Sequence, residues 1–134
     1  MELSMTEQKR RKEIIYHARR CLLNEMHIEA QDESSLMCTY RGFYLQVSFS
    51  ELHPLMVFCL AKALEDPVKT GKYQAVNELN LKSVLGSHAV NKDIGCYSYR
   101  ATHWLDTEVD SNRICEILDR CVDEAQRGYQ KMAG

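Results

Sequence analysis

The sequence has few of the features that would restrict its function. Only two prolines occur in 134 residues, and no internal repeat, low-complexity segment or interior linker interrupts the chain. The longest unbroken apolar run, Leu55 to Ala61, is far shorter than the roughly 20 residues that a membrane-spanning helix needs. The N-terminus begins with polar residues and shows no apolar core of an export signal. These absences predict a single domain over residues 1–134, in the cytoplasm and with no membrane partner.

An excess of charge of one sign is also lacking. The net charge is −2, with 27% charged and 45% hydrophobic residues. A strong imbalance would have favoured a nucleic-acid or membrane-surface partner, so the composition predicts neither. The basic stretch QKRRKE, residues 8–13, falls on an expected helix and is interpreted as a solvated face. At this length a globular chain buries roughly two thirds of its unfolded surface, and it needs no disulfide or metal to fold.

No spacing of cysteine or histidine indicates a metal site. The six cysteines form no C-x-x-C pair and have no close partner at a spacing typical of zinc. We interpret them as reduced thiols that behave as small hydrophobes, which agrees with a reducing compartment. No two histidines stand at the i, i+4 spacing of a helical ligand pair. The residues concerned are Cys21, Cys38, Cys59, Cys96, Cys115, Cys121, His17, His27, His53, His88 and His103.

Signatures of catalysis are missing as well. The chain contains no G-x-S-x-G, no Walker-type loop and no dinucleotide fingerprint. His88 and His103 lie on two strands that we expect to pair, and they are interpreted as scattered, exposed strand histidines rather than as a catalytic pair. We therefore predict that the protein is not an enzyme and has no catalytic residue, metal or cofactor.

What the first half does have is a clear succession of helix and strand patterns. Ser4-x-x-Glu7 has the form of a capping box, and apolar residues recur behind it at helical spacing, which predicts a helix over about residues 5–26. Two alternating segments joined by Arg41-Gly42 predict a β-hairpin. Residues 55–60 are apolar at every position. A helix is possible there, but the residue types favour a strand, whose second face would need cover from a helix or another subunit.

The second half repeats the alternation. Residues 70–85 show a helical pattern, and Gly86 is the expected helix stop. Residues 87–91 and 96–105 then predict two strands around the turn KDIG. One face of the second strand is expected to carry Tyr97, Tyr99, Ala101 and Leu105, and the other Ser98, Arg100, Thr102 and Trp104.

The last helix is expected from the N-cap Asp110 to about residue 131. Four acidic residues are predicted to face away from its apolar stripe: Glu116, Asp119, Asp123 and Glu124. The whole order is helix, three strands, helix, two strands, helix. Hairpin links make the sheet mainly antiparallel, so we predict an α+β fold with helices packed on a sheet.

Two asparagines stand within an apolar arc of the second helix. At roughly 100° per residue, Asn77 and Asn80 fall within about 80° of Tyr73. Val76, Leu81 and Val84 share that arc. Since a buried amide without partners costs roughly 1–3 kcal/mol, both are expected to be hydrogen-bonded. The favoured interpretation is a bond to nearby strand or loop backbone, so that Asn→Ala at either site lowers stability. The alternative is that both face a pocket or cleft.

This region resembles a known family. A helix with N-x-x-N, a glycine stop, a short strand, a D-x-G turn and a strand with alternating aromatics are similar to the second half of the type III secretion chaperone-like fold. In particular they resemble the YbjN-like bacterial sensory transduction regulators. The matching residues are Asn77, Asn80, Gly86, Asp93, Gly95 and the strand of residues 96–105. The resemblance implies the element order predicted above, often paired as a homodimer, and the secretion chaperones of this fold bind an extended segment of an effector protein.

These observations predict a non-catalytic protein-binding module, chaperone-like or regulatory, that forms a homodimer and binds a client or regulatory protein. The candidate binding residues are Asn77, Asn80, Arg100 and Trp104. The alternative is a small-molecule sensor or enzyme with a site near Asn77, Asn80, His88 and Arg100. A concave polar pocket that joins those four residues would favour the alternative.

Overall fold

The computed structural model describes residues 4–50, 53–105 and 107–133. The helices are α1 (Met5–Glu25), α2 (Thr70–Lys82) and α3 (Ser111–Ala133). The strands are β1 (Ala30–Gln31), β2 (Ser35–Tyr40), β3 (Phe43–Ser50), β4 (Leu55–Ala63), β5 (Gly86–Asn91) and β6 (Cys96–Trp104). The predicted α+β order is confirmed. The two-residue β1 adds a strand that the sequence pattern did not indicate.

The six strands form one antiparallel sheet in the order β1-β2-β3-β4-β6-β5. Arg41 and Gly42 make the predicted hairpin turn with φ angles of 49° and 86°, both positive, as a two-residue turn between twisted strands requires. The apolar segment after Pro54 is a strand, as predicted, and it lies at the centre of the sheet between β3 and β6. The β5–β6 hairpin places β5 at the edge.

One face of the sheet packs against the helices. Side chains alternate along each strand, so Met56 and Phe58 are buried whereas Val57 and Cys59 are half-buried. In β6 and just beyond it, the buried residues are the predicted set Tyr97, Tyr99, Ala101 and Leu105. They form one hydrophobic cluster with the buried residues of α1 and α3. No helix in the described ranges covers the opposite face.

The two long helices begin as the sequence predicts. Ser4 Oγ accepts a hydrogen bond from the Glu7 N–H at 3.1 Å and caps α1. The Glu7 carboxylate accepts hydrogen bonds from Arg10 and Arg11, so two cations of the basic stretch have an acidic partner. Asp110 Oδ1 accepts from the Arg113 N–H at 2.7 Å and caps α3. Within the described part of the chain, none of the helices has the length and apolar character to cross a membrane.

The predicted end of α2 is wrong. The helix ends at Lys82, three residues before the predicted end, and Gly86 is the first residue of β5 rather than a helix stop. A Cβ at position 86 would lie 2.7 Å from the Tyr99 ring and would also collide with the backbone oxygen of Arg100. Glycine is therefore required here because β5 passes very close to β6.

Candidate functional site

The face of the sheet without helices is almost free of charge. The strand registers place the following side chains on this open sheet face: Met37, Thr39, Tyr44, Gln46, Ser48, Leu55, Val57, Cys59, Ala61, Ser87, Ala89, Ser98, Arg100, Thr102 and Trp104. All of them are half-buried or exposed. Arg100 is the one charged residue among them, although 27% of the chain is charged. Such depletion is typical of the centre of a protein interface.

Arg100 and Trp104 lie on this face together, as the alternation of β6 predicted. Arg100 stands opposite Cys59 on β4 and Ser87 on β5, and Trp104 stands opposite Leu55. Trp104 is 57% exposed although it is the largest side chain in the protein. Their role in binding remains a prediction, but the structure gives them a shared and accessible surface.

The helix that carries the two asparagines, α2, packs against the core through a different arc from the predicted one. Ala75, Val76 and Leu79 pack against the core, whereas Asn77 and Asn80 are exposed, and no residue of α2 is buried. The predicted arc was wrong because α2 has apolar residues on two sides. Its sequence does not reveal which side meets the sheet.

Asn80 nevertheless makes the kind of bond that was favoured. Its Nδ2 donates to the carbonyl oxygen of His88 at 3.0 Å, and the His88 N–H donates to Asn80 Oδ1 at 2.7 Å. The Asn80 side chain thus bonds both the N–H and the carbonyl group of His88 that face away from the sheet. These two bonds hold α2 in register with the edge strand β5 and block that edge against pairing with another strand. Asn77 takes no part in this contact. The expected loss of stability on substitution therefore applies to Asn80 and not to Asn77.

His88 is the centre of a polar network that the sequence did not reveal. Predicted to be exposed, it is buried beneath α2 and α3 and lies opposite Tyr99, not beside His103. Ser83 Oγ donates to the Leu79 carbonyl at 2.9 Å, so it accepts the His88 Nε2–H at 2.7 Å. Nδ1 is then the acceptor for the Tyr97 hydroxyl at 2.6 Å. The bonding pattern assigns the neutral tautomer that is protonated on Nε2.

Glu124 is the second buried member of this layer, and its predicted exposure is wrong. Its carboxylate accepts from the Tyr99 hydroxyl at 2.8 Å and from the backbone N–H groups of Gly86 at 3.1 Å and Val84 at 3.3 Å. Burial opposes ionisation, but these hydrogen bonds outweigh it and lower the pKa of Glu124. The signal that could have found it is its spacing, three residues after Cys121 and four before Gly128, at the edge of the buried stripe.

Neither the Cys121 thiol nor the cleft at the end of α3 forms a reactive arrangement with the described residues. Burial raises the pKa of the Cys121 thiol to about 11, so this thiol stays protonated at neutral pH. No group of three histidine, cysteine or carboxylate side chains in the described ranges could hold a metal ion. A cleft of about 590 Å³ lies between the β4–α2 connection and the end of α3, where Glu65, Asp66, Lys69 and Lys72 mix both charge signs.

The four residues of the alternative site are not brought together. His88 points to the helix layer, whereas Arg100 projects from the open sheet face on the other side of the sheet. Asn80 is used on the backbone of β5, and Asn77 is exposed on α2. A cavity of about 210 Å³ does reach His88, but Leu79, Lys82, Arg127 and Lys131 line it and Arg100 does not. The geometry therefore gives no support to a single pocket at these positions.

Comparisons with known proteins agree with this architecture. No protein-family model and no curated protein matches the sequence. A chain of the HopA1–SchA chaperone–effector complex superimposes with a TM-score of 0.62 at 8% identity, over 96% of this chain and 99% of that chain. YbjN from E. coli gives 0.65 at 8% identity, over 85% and 87%. The Yersinia pestis type III secretion chaperone SycH, in complex with a fragment of YscM2, gives 0.57 at 14% identity, over 85% and 94%. At such identities the likeness concerns the fold alone, and the predicted resemblance is confirmed at that level: the chain has the type III secretion chaperone-like fold that YbjN shares.

Proposed function

We propose that the protein is a non-catalytic protein-binding module, chaperone-like or regulatory, that acts as a homodimer in the cytoplasm. The observation that carries the proposal is the open sheet face. When one face of an antiparallel sheet packs on the core and the other is in water, the residues of the second face are usually polar. Here that second face has only one charge, at Arg100, and includes apolar residues such as Leu55 and Val57. It also presents Trp104 and Tyr44, and Trp, Tyr and Arg are the residue types enriched among binding hot spots.

The fold adds support for a protein partner. SycH is described as a secretion chaperone in complex with a fragment of YscM2, and the HopA1–SchA pair as a chaperone–effector complex. By analogy, this chain would hold a segment of a client or regulatory protein against its sheet. The side chains of the open sheet face would then select the segment, and exclusion of water from Val57 and Cys59 would contribute affinity.

A second apolar surface supports the homodimer. Tyr73, Leu81, Val84 and Leu85 lie on the outward side of α2 and the turn after it, and we call them the α2 stripe. Leu81 and Val84 are 79% and 86% exposed. Neighbouring apolar side chains that remain this exposed in one chain mark an interaction surface. Two copies of the stripe related by a twofold axis would cover each other.

A pull-down with a matched control tests the role of the open sheet face. The tagged chain and its Trp104→Ser variant are each used to recover proteins from the lysate of the native host. We expect one stoichiometric partner that wild type retains and Trp104→Ser loses. Ile94→Ser is the control, because Ile94 is 72% exposed in the β5–β6 turn, outside the open sheet face. The melting temperatures of the three chains should be the same, so that any difference reflects binding. Loss of the partner with both variants, or retention of the partner by both, would then contradict the proposed surface.

A further inference from the structure

The charge of Arg100 has no counterpart on the surface that carries it. Arg41 pairs with Asp119 and Asp123, and Arg120 pairs with Glu116 at 2.9 Å. The Arg100 guanidinium, by contrast, makes no ion pair or hydrogen bond with any residue in the described ranges, and only the backbone of Arg100 is bonded, within the sheet. Its neighbours across the strands are Cys59 and Ser87, and those along its own face are Ser98 and Thr102.

The surroundings of Arg100 are suited to binding a single anionic group. Val57, Cys59 and Ala61 form an uncharged row along β4, and Trp104 stands four residues away along β6. A guanidinium at the centre of such a surface loses its water when a partner covers it, and an unpaired buried charge is costly. A carboxylate that forms two parallel hydrogen bonds with the guanidinium offsets this cost.

A second copy of the chain does not supply that carboxylate. In a twofold contact each copy presents the same surface, so two open sheet faces would bring together two Arg100 side chains, and none of the described residues of that face is acidic. The α2 stripe has no such conflict, which leaves the open sheet face available in the proposed homodimer. A nucleic acid is equally unsuited, because binding to its backbone depends on several cations and this face carries one.

We infer that the open sheet face binds an apolar segment of a partner protein that places one carboxylate on Arg100. The inference rests on the proposed function and specifies the chemistry of the partner. Along an extended chain, four residues span roughly 13 Å, which matches the separation of Arg100 and Trp104 along β6. The segment therefore carries Asp or Glu about four residues from an aromatic or large aliphatic side chain, with apolar residues between or beside them that cover β4.

Selection from a random peptide library tests this chemistry directly, since it does not require the natural partner. The full chain is immobilised and used to enrich displayed 12-residue peptides, and enriched sequences are synthesised for affinity measurement by fluorescence anisotropy. We expect an Asp or Glu in the enriched peptides at the stated distance from an aromatic or aliphatic residue. Arg100→Gln should weaken their binding by about 10- to 100-fold, the effect of removing hydrogen bonds to a charged group. Arg100→Glu should select peptides with Lys or Arg at the acidic position.

The control is Arg113→Gln, which removes another exposed arginine, at the start of α3 and away from the sheet. It should leave affinity within about twofold of wild type, as surface substitutions outside a contact do. Peptides that depend on Trp104 but not on Arg100 would overturn the inference and leave the proposed function standing. Peptides insensitive to both Trp104→Ser and Arg100→Gln would overturn the inference and move binding to another surface. Absence of any enrichment would overturn the inference and the proposed function together.

Discussion

Two glycines, one in α3 and one in α2, have opposite surroundings. Gly128 faces the polar network, where a Cβ would lie 2.5 Å from the Tyr97 hydroxyl and would also collide with the His88 ring. Gly71, in the first turn of α2, has open space where a Cβ would stand. Both glycines lie in helices, so the backbone preference for alanine is similar at the two positions and the surroundings decide the outcome.

Alanine at these positions should change stability in opposite directions. Gly128→Ala forces His88 and Tyr97 apart, and we expect it to lower the free energy of unfolding by about 1–3 kcal/mol. Gly71→Ala meets no atom and should raise it by about 0.4–1 kcal/mol through the entropy of the unfolded chain. Urea denaturation followed by circular dichroism measures both changes. Equal effects of the two substitutions would contradict the close approach at Gly128.

At the scale of elements, α2 differs from α1 and α3, both of which bury side chains in the core. No residue of α2 is buried. Its polar contacts with the rest of the protein come from the Asn80 side chain and from Ser83, just after the helix. Glu124 also accepts a hydrogen bond from a backbone N–H group just beyond the helix. The Ser83–His88–Tyr97 chain of hydrogen bonds requires a neutral imidazole with its hydrogen on Nε2. A second proton on Nδ1 would remove the acceptor that Tyr97 uses.

The packing around His88 favours its neutral form. Burial is the main cause that lowers its pKa below the ordinary value of 6.5, the negative charge of Glu124 opposes the shift, and the positive charge of Arg127 adds to it. The rings of Tyr97 and Tyr99 pack against the imidazole, and Lys82 and Lys131 line the cavity beside it. Below pH 6.5 the unfolded chain binds this proton more readily than the folded chain, so the contribution of His88 is complete above that pH and declines as pH falls.

Acidification should therefore loosen α2 before the rest of the fold. We expect amide hydrogen exchange in residues 70–85, corrected for its intrinsic pH dependence, to speed up between pH 7.5 and pH 5, while exchange within α1 changes little. His88→Leu removes the titrating group, so its α2 should exchange quickly at both pH values. Mass spectrometry of proteolytic fragments resolves the two helices. Constant protection of α2 down to pH 5, or a pH dependence that survives in His88→Leu, would contradict this role of His88.

At the scale of the whole molecule, the two exposed surfaces suit the two different partners that we propose. The α2 stripe is apolar and uncharged, which suits an identical copy, whereas the open sheet face carries the unmatched Arg100. The surfaces lie on different layers of the fold, since α2 packs on the face of the sheet opposite to Trp104. A homodimer formed through α2 can therefore present two open sheet faces to two partner segments.

This arrangement predicts an oligomeric state that one substitution abolishes. Size-exclusion chromatography with light scattering should give twice the chain mass of 15.5 kDa at micromolar concentration. Leu81→Glu places a charge within the α2 stripe and should give a monomer, because the contact would bury an unpaired carboxylate. Ile94→Glu, an equally drastic change outside the stripe, should remain dimeric. A wild-type chain that elutes at 15.5 kDa would contradict the proposed dimer.

Local chemistry was enough to predict most elements of the fold. Arg41-Gly42 indicated a tight turn because it is a two-residue connection in which glycine is free to take positive φ. Asp110 indicated a helix start because its side chain can accept the exposed N–H of Arg113. The alternation in β6 separated Tyr97 and Tyr99 from Arg100 and Trp104, since successive side chains of a strand point to opposite faces. These features depend on neighbours a few residues apart.

The sequence by itself thus determined the order of helices and strands, the hairpins and the two faces of β6. Only the tertiary structure decided which of two apolar arcs of α2 packs inward, why Gly86 and Gly128 are glycines, and that Glu124 and His88 are buried. The physical reason is that Glu124 is satisfied by Tyr99 and Gly86, 25 and 38 residues away along the chain. A polar residue is stable inside the protein only when such distant groups supply its hydrogen bonds, and no local pattern records where those groups will lie.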